Sequence, residues 1–533
     1  MTVAMAESEV RLDGPGWVRH GATHARGYAH LDARFLDAAA LAERVEGCET
    51  DDAWAALLPR LNGCFALVSE RGDRVLAAVD RLRSIPLFHA VPASRALVGD
   101  DASWIAAQAG DPPIDEEAEE EFLLTGYVTG AGTLRREVRQ LEAGTWLRWP
   151  RAAPAPSIAR YHAFAHRDFL AEDTDTLVER LAALHERVFR RLLESVAGRP
   201  IVVPLSGGYD SRLIGVSLRD LGARDVLCYS YGVPGNWESR ISKELADHLG
   251  FRWTFVPYDH ARWRAWAATP EFAGYLRTAG NLASVPHVQD WPAVRELTGQ
   301  GIVEPGSAIV PGHSGDFLAG SHIPKAFVGR AQVTRRDVLD AIQSAHYSLR
   351  DWPERAGVRE RVDRRIEAIV GPVADGTPEQ AADVFERWDL QERQAKFICN
   401  AVRVYEQFGC EWRLPLFDAE LMDFWARIPV DLRVGRALYF AFVERRQSLP
   451  ITPANTDYGR AMRTAVRTMD ALRLRPLAYR ARRALRRARW RHAYASAPLA
   501  WTGLVDPDEF GRSYTGREIM HSYMAVRCLD ALR

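Results

Sequence analysis

The chain is short of cysteine and of net charge, and each shortage narrows what it does. Its six cysteines, Cys48, Cys64, Cys228, Cys399, Cys410 and Cys528, are scattered through 533 residues without paired spacing. That pattern argues against both a zinc site and a disulfide framework, and leaves reduced thiols in a cytoplasmic enzyme as the expectation. With 69 basic and 70 acidic side chains, no global field draws the chain to nucleic acid or to a membrane. No apolar run reaches membrane-spanning length, and the first residues lack a basic segment followed by an apolar core, so export is not expected. There is no internal repeat.

What is present is enough for two or three cores, because 533 residues exceed what one core holds. Up to about residue 150, short β-rich runs such as Gly63-Cys64-Phe65-Ala66-Leu67-Val68 alternate with turn residues. Residues 151–157, with Pro154 and Pro156 among alanines, suit neither helix nor sheet. From about residue 175, helical periods alternate with apolar strands at residues 201–203, 226–229 and 301–310, the signature of a parallel sheet covered by helices. Beyond residue 330 the pattern is mainly helical. The expected division is a first domain over 1–150, a linker over 151–175, an α/β domain over 176–460 and an arginine-rich helical extension over 461–533.

The most informative segment is Pro204-Leu205-Ser206-Gly207-Gly208-Tyr209-Asp210-Ser211, lying between an apolar strand and a helix. Glycines let the backbone approach a ligand closely, and free N–H groups at a helix start attract phosphate oxygens. Leu205, Ser206, Gly207, Gly208 and Ser211 therefore form a candidate ATP cradle. Asp210 is out of place beside a phosphate unless a divalent cation lies between them, which suggests Mg²⁺ and the splitting of ATP into AMP and pyrophosphate. Residues after strand ends in an open α/β sheet are where ligands sit. Two more such places occur: Tyr231 and Gly232, suited to a nucleotide base, and Pro311-Gly312-His313-Ser314-Gly315-Asp316, a second glycine turn with a second acid. Asp210 and Asp316 would share the metal.

These motifs together resemble the asparagine synthetase family. Glu411-Trp412-Arg413-Leu414-Pro415-Leu416-Phe417-Asp418 resembles its Glu-x-Arg-x-Pro-x-x-Asp segment, while Leu61-Asn62-Gly63 and Gly126-Tyr127-Val128-Thr129-Gly130 resemble its glutaminase-type sandwich. The resemblance implies an α/β fold: a degenerate N-terminal-nucleophile (Ntn) type sandwich followed by a parallel-sheet ATP-pyrophosphatase domain with a helical C-terminal part. It implies an ATP- and Mg²⁺-dependent ligase that adenylates a small-molecule or peptide carboxylate and transfers it to ammonia or an amine. Ser284, Arg403 and Glu411 fall where the family shapes its substrate pocket. The family's glutaminase uses an N-terminal cysteine, whereas this chain opens Met1-Thr2-Val3. Loss of glutamine hydrolysis is therefore expected, as in the similar β-lactam synthetases and lasso-peptide cyclases. Asparagine synthesis, or closure of a β-lactam or macrolactam ring, remain as alternatives.

His313 takes the place of a β-lactam synthetase tyrosine associated with deprotonating the amine, and an imidazole can act as that base. The family's late-loop lysine has no counterpart, and Arg460 is the expected replacement cation at the departing pyrophosphate. Lys243 and Lys396 are rivals, although Lys396 lies in a helical stretch where a solvated lysine is the ordinary expectation. Between Arg473 and Arg491, arginines interleave with Leu474, Leu477, Leu485 and Trp490, a pattern suited to an anionic membrane surface or an acidic partner. No nucleic-acid partner is expected.

Overall fold

The computed structural model describes residues 8–92, 95–446, 489–514 and 519–533. Its N-terminal part is organised by the strand Asn62–Arg71, whose side chains alternate between two apolar layers. Phe65 and Leu67 pack with Leu41, Val45, Trp54 and Leu57 of the helices Ala38–Glu46 and Asp51–Leu57. Cys64, Ala66 and Val68 point the other way, into a cluster with Phe88, Leu97 and Val98. A strand apolar on both faces must lie between two layers, so this sheet has helices on one side and a second sheet on the other. The first sheet has seven strands, and the second has four, including the parallel pair Ser8–Arg11 and Ala96–Gly99. Ser157–Arg160, inside the stretch expected to be linker, pairs antiparallel with Thr145–Pro150 and extends the first sheet.

The C-terminal part is built on a five-stranded parallel sheet in the spatial order Arg252–Pro257, Val226–Gly232, Ile201–Pro204, Ala308–Ile309, Glu411–Trp412. Two of these strands, Arg252–Pro257 and Glu411–Trp412, were not foreseen in the sequence. The run over 301–310 is strand only at Ala308–Ile309, because Pro305 and a positive-φ Gly306 turn the chain just before it. The chain enters at the central strand, winds outward through Val226–Gly232 and Arg252–Pro257, then crosses to the other side of Ile201–Pro204. That reversal opens a crevice beyond the ends of Ile201–Pro204 and Ala308–Ile309. Both glycine loops emerge there. The rest is largely helical. Among the described residues, no helix is long and apolar enough to cross a membrane.

The two parts share backbone hydrogen bonds: Val128 N to Ala283 O at 2.8 Å, Leu134 N to Leu282 O at 2.8 Å, and Val285 N to Gly126 O at 2.7 Å. Lys396 reinforces the seam and corrects the expectation of a solvated side chain. It is fully buried, and its ammonium donates to Glu392 at 2.6 Å, to the Gly130 carbonyl at 2.6 Å and to the Val128 carbonyl at 3.1 Å. Glu392 in turn accepts from Gly130 N at 3.0 Å. Burial lowers the lysine pKa and raises that of Glu392, and each charge opposes the shift in the other. Removing one member strands the other without water. Lys396→Met is expected to destabilise the protein by about 3–5 kcal/mol, read as a lower urea midpoint; an unchanged midpoint would show that the pair does not hold the seam.

Candidate active site

The first loop is closed by its own hydroxyls. Ser206 N donates to Ser211 Oγ at 3.1 Å, the two serine hydroxyls are 3.0 Å apart, and Gly208 N donates to Ser206 Oγ at 3.2 Å. Leu205 is buried and fastened to the next strand by its N–H to Tyr229 O at 2.9 Å. The loop leads into the helix Tyr209–Asp220, whose N-cap, Gly208, offers no side-chain acceptor to the first turn. Uncapped N–H groups at the positive end of a twelve-residue helix are an anion site.

The second loop lies directly against the first. A Cβ placed on Gly312 would come within 2.9 Å of Ser211 N, and one on Gly315 within 3.2 Å of the Asp210 carboxyl carbon. Only glycine permits that approach. Asp210 and Asp316 are thereby neighbours: Asp316 N donates to Asp210 Oδ2 at 3.0 Å, Tyr439 Oη donates to Asp210 Oδ1 at 2.6 Å, and Ser321 Oγ donates to Asp316 Oδ2 at 2.9 Å. Burial and then the Asp316 charge push the Asp210 carboxyl up to about 7. Two carboxylates in adjoining loops, with the proton affinity of Asp210 raised by the other's charge, suit a divalent cation, which would relieve their repulsion. Among the described residues no group of three or more His, Cys, Asp or Glu side chains could hold a metal. Mg²⁺ at this pair would thus draw its remaining ligands from phosphate oxygens and water, its usual arrangement.

The other sequence-derived residues divide. Pro311 is buried at the start of the second loop, ahead of Gly312. Gly232 has φ +123, a conformation open to glycine, and its carbonyl accepts from Tyr258 N. Tyr231 stacks on Tyr258 at 5.2 Å and 17°, so that face of its ring meets protein and not a base. His313 lies in the second loop with Nδ1 buried and unpartnered, and burial lowers its pKa to about 4. The three residues expected at a substrate pocket lie away from the two glycine loops. Ser284 gives its hydroxyl to the Val285 carbonyl and pairs through its backbone with Tyr127, acting as a strut between the two parts. Glu411 is level with Ala308 at the start of its strand, away from the crevice, and its exposed carboxylate pairs with Arg199 and Arg413. Arg403 binds Glu406 at 2.7 Å and the Ser84 carbonyl at 2.6 Å. It lines a cavity of about 440 Å³ with Arg26, Asp100 and Glu406, which contains no residue of either glycine loop. Lys243 pairs with Asp247 on an exposed helix face. Arg460 lies outside the described residues, as does all but the end of the stretch between Arg473 and Arg491.

Several site residues escaped the sequence reading. Trp237 is 47% exposed and lies across the first loop, its ring edge 2.9 Å from where a Gly207 Cβ would be, which makes it the available flat surface for a base. Tyr439 comes from the distant helix Ala437–Arg446. Arg436, with its guanidinium 4.6 Å from the Phe440 ring centroid, is a cation that bears on Asp210. Ser314 Oγ donates to Gln394 Oε1 at 2.8 Å, which ties the second loop to the wide π-helical turn Leu390–Ile398. Spacing alone could not have found these partners, because each arrives from another element.

A parallel sheet with a phosphate-type cradle at its switch point, coupled to a two-sheet sandwich, defines a class in which nucleotide chemistry is joined to an Ntn-type α/β unit. The chain belongs to the asparagine synthase family, whose match runs over residues 180–512. Residues 51–162 match a glutamine amidotransferase domain. The carboxyethyl-arginine beta-lactam-synthase of Streptomyces clavuligerus is 27% identical over 256 residues, and the similarity spans 45% of this chain and 45% of that protein. Among solved structures, the allosteric regulatory enzyme of purine biosynthesis is 13% identical over 45% of this chain and 62% of that one, with a TM-score of 0.19. The glutamine phosphoribosylpyrophosphate amidotransferase of B. subtilis, complexed with ADP and GMP, is 13% identical over 57% and 59%, also with a TM-score of 0.19.

Because the two loops touch through glycine, Gly312→Ala should force them apart and weaken ATP binding by about ten- to hundred-fold, the equivalent of roughly 1–3 kcal/mol of overpacking. Calorimetric titration checks this, and unchanged affinity would mean that the loops do not form one cradle.

Proposed function

We propose that the chain is an ATP-dependent amide ligase: it activates a carboxylate as an acyl-adenylate, releasing pyrophosphate, and passes the acyl group to ammonia or an amine. The observation that carries this reading is the meeting of an uncapped helix N-terminus and two adjoining aspartates at the switch point of a parallel sheet. Family membership supports the same chemistry. ATP is the co-substrate. Ser206 to Ser211 would grip its β- and γ-phosphates through backbone N–H groups, Trp237 would flank the base, and Asp210 and Asp316 would hold Mg²⁺. Bound there, Mg²⁺ supplies charge neutralisation for the leaving pyrophosphate. Tyr439 and the Asp316 amide orient Asp210, fixing the direction of its free lone pairs.

Glutamine is not the nitrogen source in this reading. A thiol nucleophile needs a lowered pKa and access. Burial instead raises Cys64 and Cys399 far up, Cys228 and Cys528 to about 12, and Cys410 to about 11, while Cys48 is enclosed in the core. The nitrogen therefore comes from free ammonia or from an amine. The beta-lactam-synthase relative favours a second reading, in which that amine belongs to the same molecule as the carboxylate and a ring closes.

Pyrophosphate release with ATP and Mg²⁺, screened across aspartate, uronic acids, N-acyl amino acids and short peptides, tests the proposal. Release should require an added carboxylate, and turnover without ammonia would select ring closure over amidation. No release with any acid, together with no ATP binding, would sink the ligase reading. Asp210→Asn is expected to lower kcat by about 10²–10³-fold, the range for a lost electrostatic stabiliser, and full activity in that variant would refute its role.

A further inference from the structure

The amide-forming step needs a group to take a proton from the attacking nitrogen, and His313 is poorly placed for it. Its Nδ1 is buried without a hydrogen-bond partner, so no acid among the described residues fixes its tautomer. A few residues on, the fold assembles a better base. His322 follows directly on Ser321, whose hydroxyl and N–H both bond Asp316. Its Nδ1 lies 2.6 Å from Asp389 Oδ2, and Asp389 Oδ1 accepts from Gln394 Nε2 at 3.0 Å. Gln394 in turn accepts from Ser314 of the second glycine loop at 2.8 Å. Asp389 is completely buried, whereas the His322 side chain is 26% exposed. A carboxylate can only accept, so His322 carries its proton on Nδ1 and presents the Nε2 lone pair outward.

This is the arrangement of an imidazole base oriented by a buried acid. We infer that His322, held by Asp389, is the general base that deprotonates the attacking amine, an assignment that rests on the ligase reading above. As the neutral amine attacks the acyl carbon, the C–N bond forms and one N–H proton passes to His322 Nε2. The C–O bond to AMP breaks, and its electron pair leaves on the AMP phosphate. The imidazolium, stabilised by Asp389, then yields its proton to water through its exposed side. Asp389 is a positioning residue, and Gln394 and Ser314 couple it to the metal-side loop.

The charged surroundings agree with this role. Burial lowers the His322 pKa, but the Asp389 charge and hydrogen bond outweigh it and leave a net rise, with Arg393 opposing and Asp316 assisting. His346 Nε2 lies 3.7 Å from the same Asp389 oxygen, beyond hydrogen-bonding distance, and burial lowers its pKa to about 4 against the pull of the Asp389 charge. Burial raises the Asp389 pKa, yet the neighbouring histidines and Arg393 bring it well below the usual carboxylate range, so it remains an anion.

The test uses the full-length protein with whichever acid drives pyrophosphate release. His322→Asn should slow amide formation with ammonium by about 10²–10⁴-fold, the span of general-base catalysis, while ATP–pyrophosphate exchange falls far less. Hydroxylamine, largely unprotonated at neutral pH, should restore much of the lost acyl transfer. Equal loss of exchange and amide formation in this variant, or no loss at all, overturns the base assignment. Absence of exchange in the unaltered protein overturns the ligase reading instead. A second readout needs no substrate: in ¹⁵N-histidine NMR, His322 should titrate above the ordinary imidazole value as the Nδ1–H tautomer. Asp389→Asn should lower that titration, and a His322 resonance indifferent to Asp389→Asn counts against the dyad.

Discussion

Two aspartates whose charges repel are held in adjoining loops, close enough that the backbone N–H of Asp316 donates to the Asp210 carboxylate. Asp210 is at the head of one helix and Asp316 in the turn after another strand, and they meet because Gly312 and Gly315 leave no side chain between the loops. The folded chain tolerates the repulsion by giving Asp210 two donors, the Asp316 amide and the Tyr439 hydroxyl. The remaining mismatch shows as a carboxyl pushed up to about 7. Such electrostatic strain at a crevice suits a cation site, since a bound cation would relieve it.

The surroundings of that pair are rigid for identifiable reasons. The π-helical turn Leu390–Ile398 presents neighbouring side chains to different partners: Glu392 and Lys396 to the N-terminal sandwich, Gln394 to the second glycine loop. A regular α-helix would space these groups differently, and such wide turns concentrate at functional sites. Arg433, fully buried, ties the Leu318 carbonyl at the end of the second loop to Glu386 at 2.8 Å, on the helix that ends in Asp389. The sandwich thus acts as a brace for the crevice, and its own cysteines, Cys48 and Cys64, are buried.

Much of this was legible from residues in order. The strand–Gly-Gly–helix signature of the first loop, the second Gly-Asp turn and the alternation that marks a parallel sheet all depend on neighbours along the chain, and each appears where it was expected. The pocket-side residues lie away from the glycine loops for a common reason. Ser284, Arg403 and Glu411 were placed by motif position, yet a side chain's direction depends on what packs against it, and here Val285, Glu406 and Arg199 claimed them. Lys396 illustrates the converse: a helical position that reads as solvent-facing lies at the seam between two parts of the chain.

By itself, the sequence determined the local features: two glycine turns that follow strand ends, an acid in each, and the order of strands and helices that makes a parallel sheet. Those features are set by bonded neighbours and periodicity, so they survive without three-dimensional knowledge. Only the tertiary structure decided which distant groups meet. Tyr439 on Asp210, Trp237 over Gly207 and Asp389 behind His322 are joined across 229, 30 and 67 positions of chain. Packing of whole elements fixes such contacts, and no local pattern encodes them.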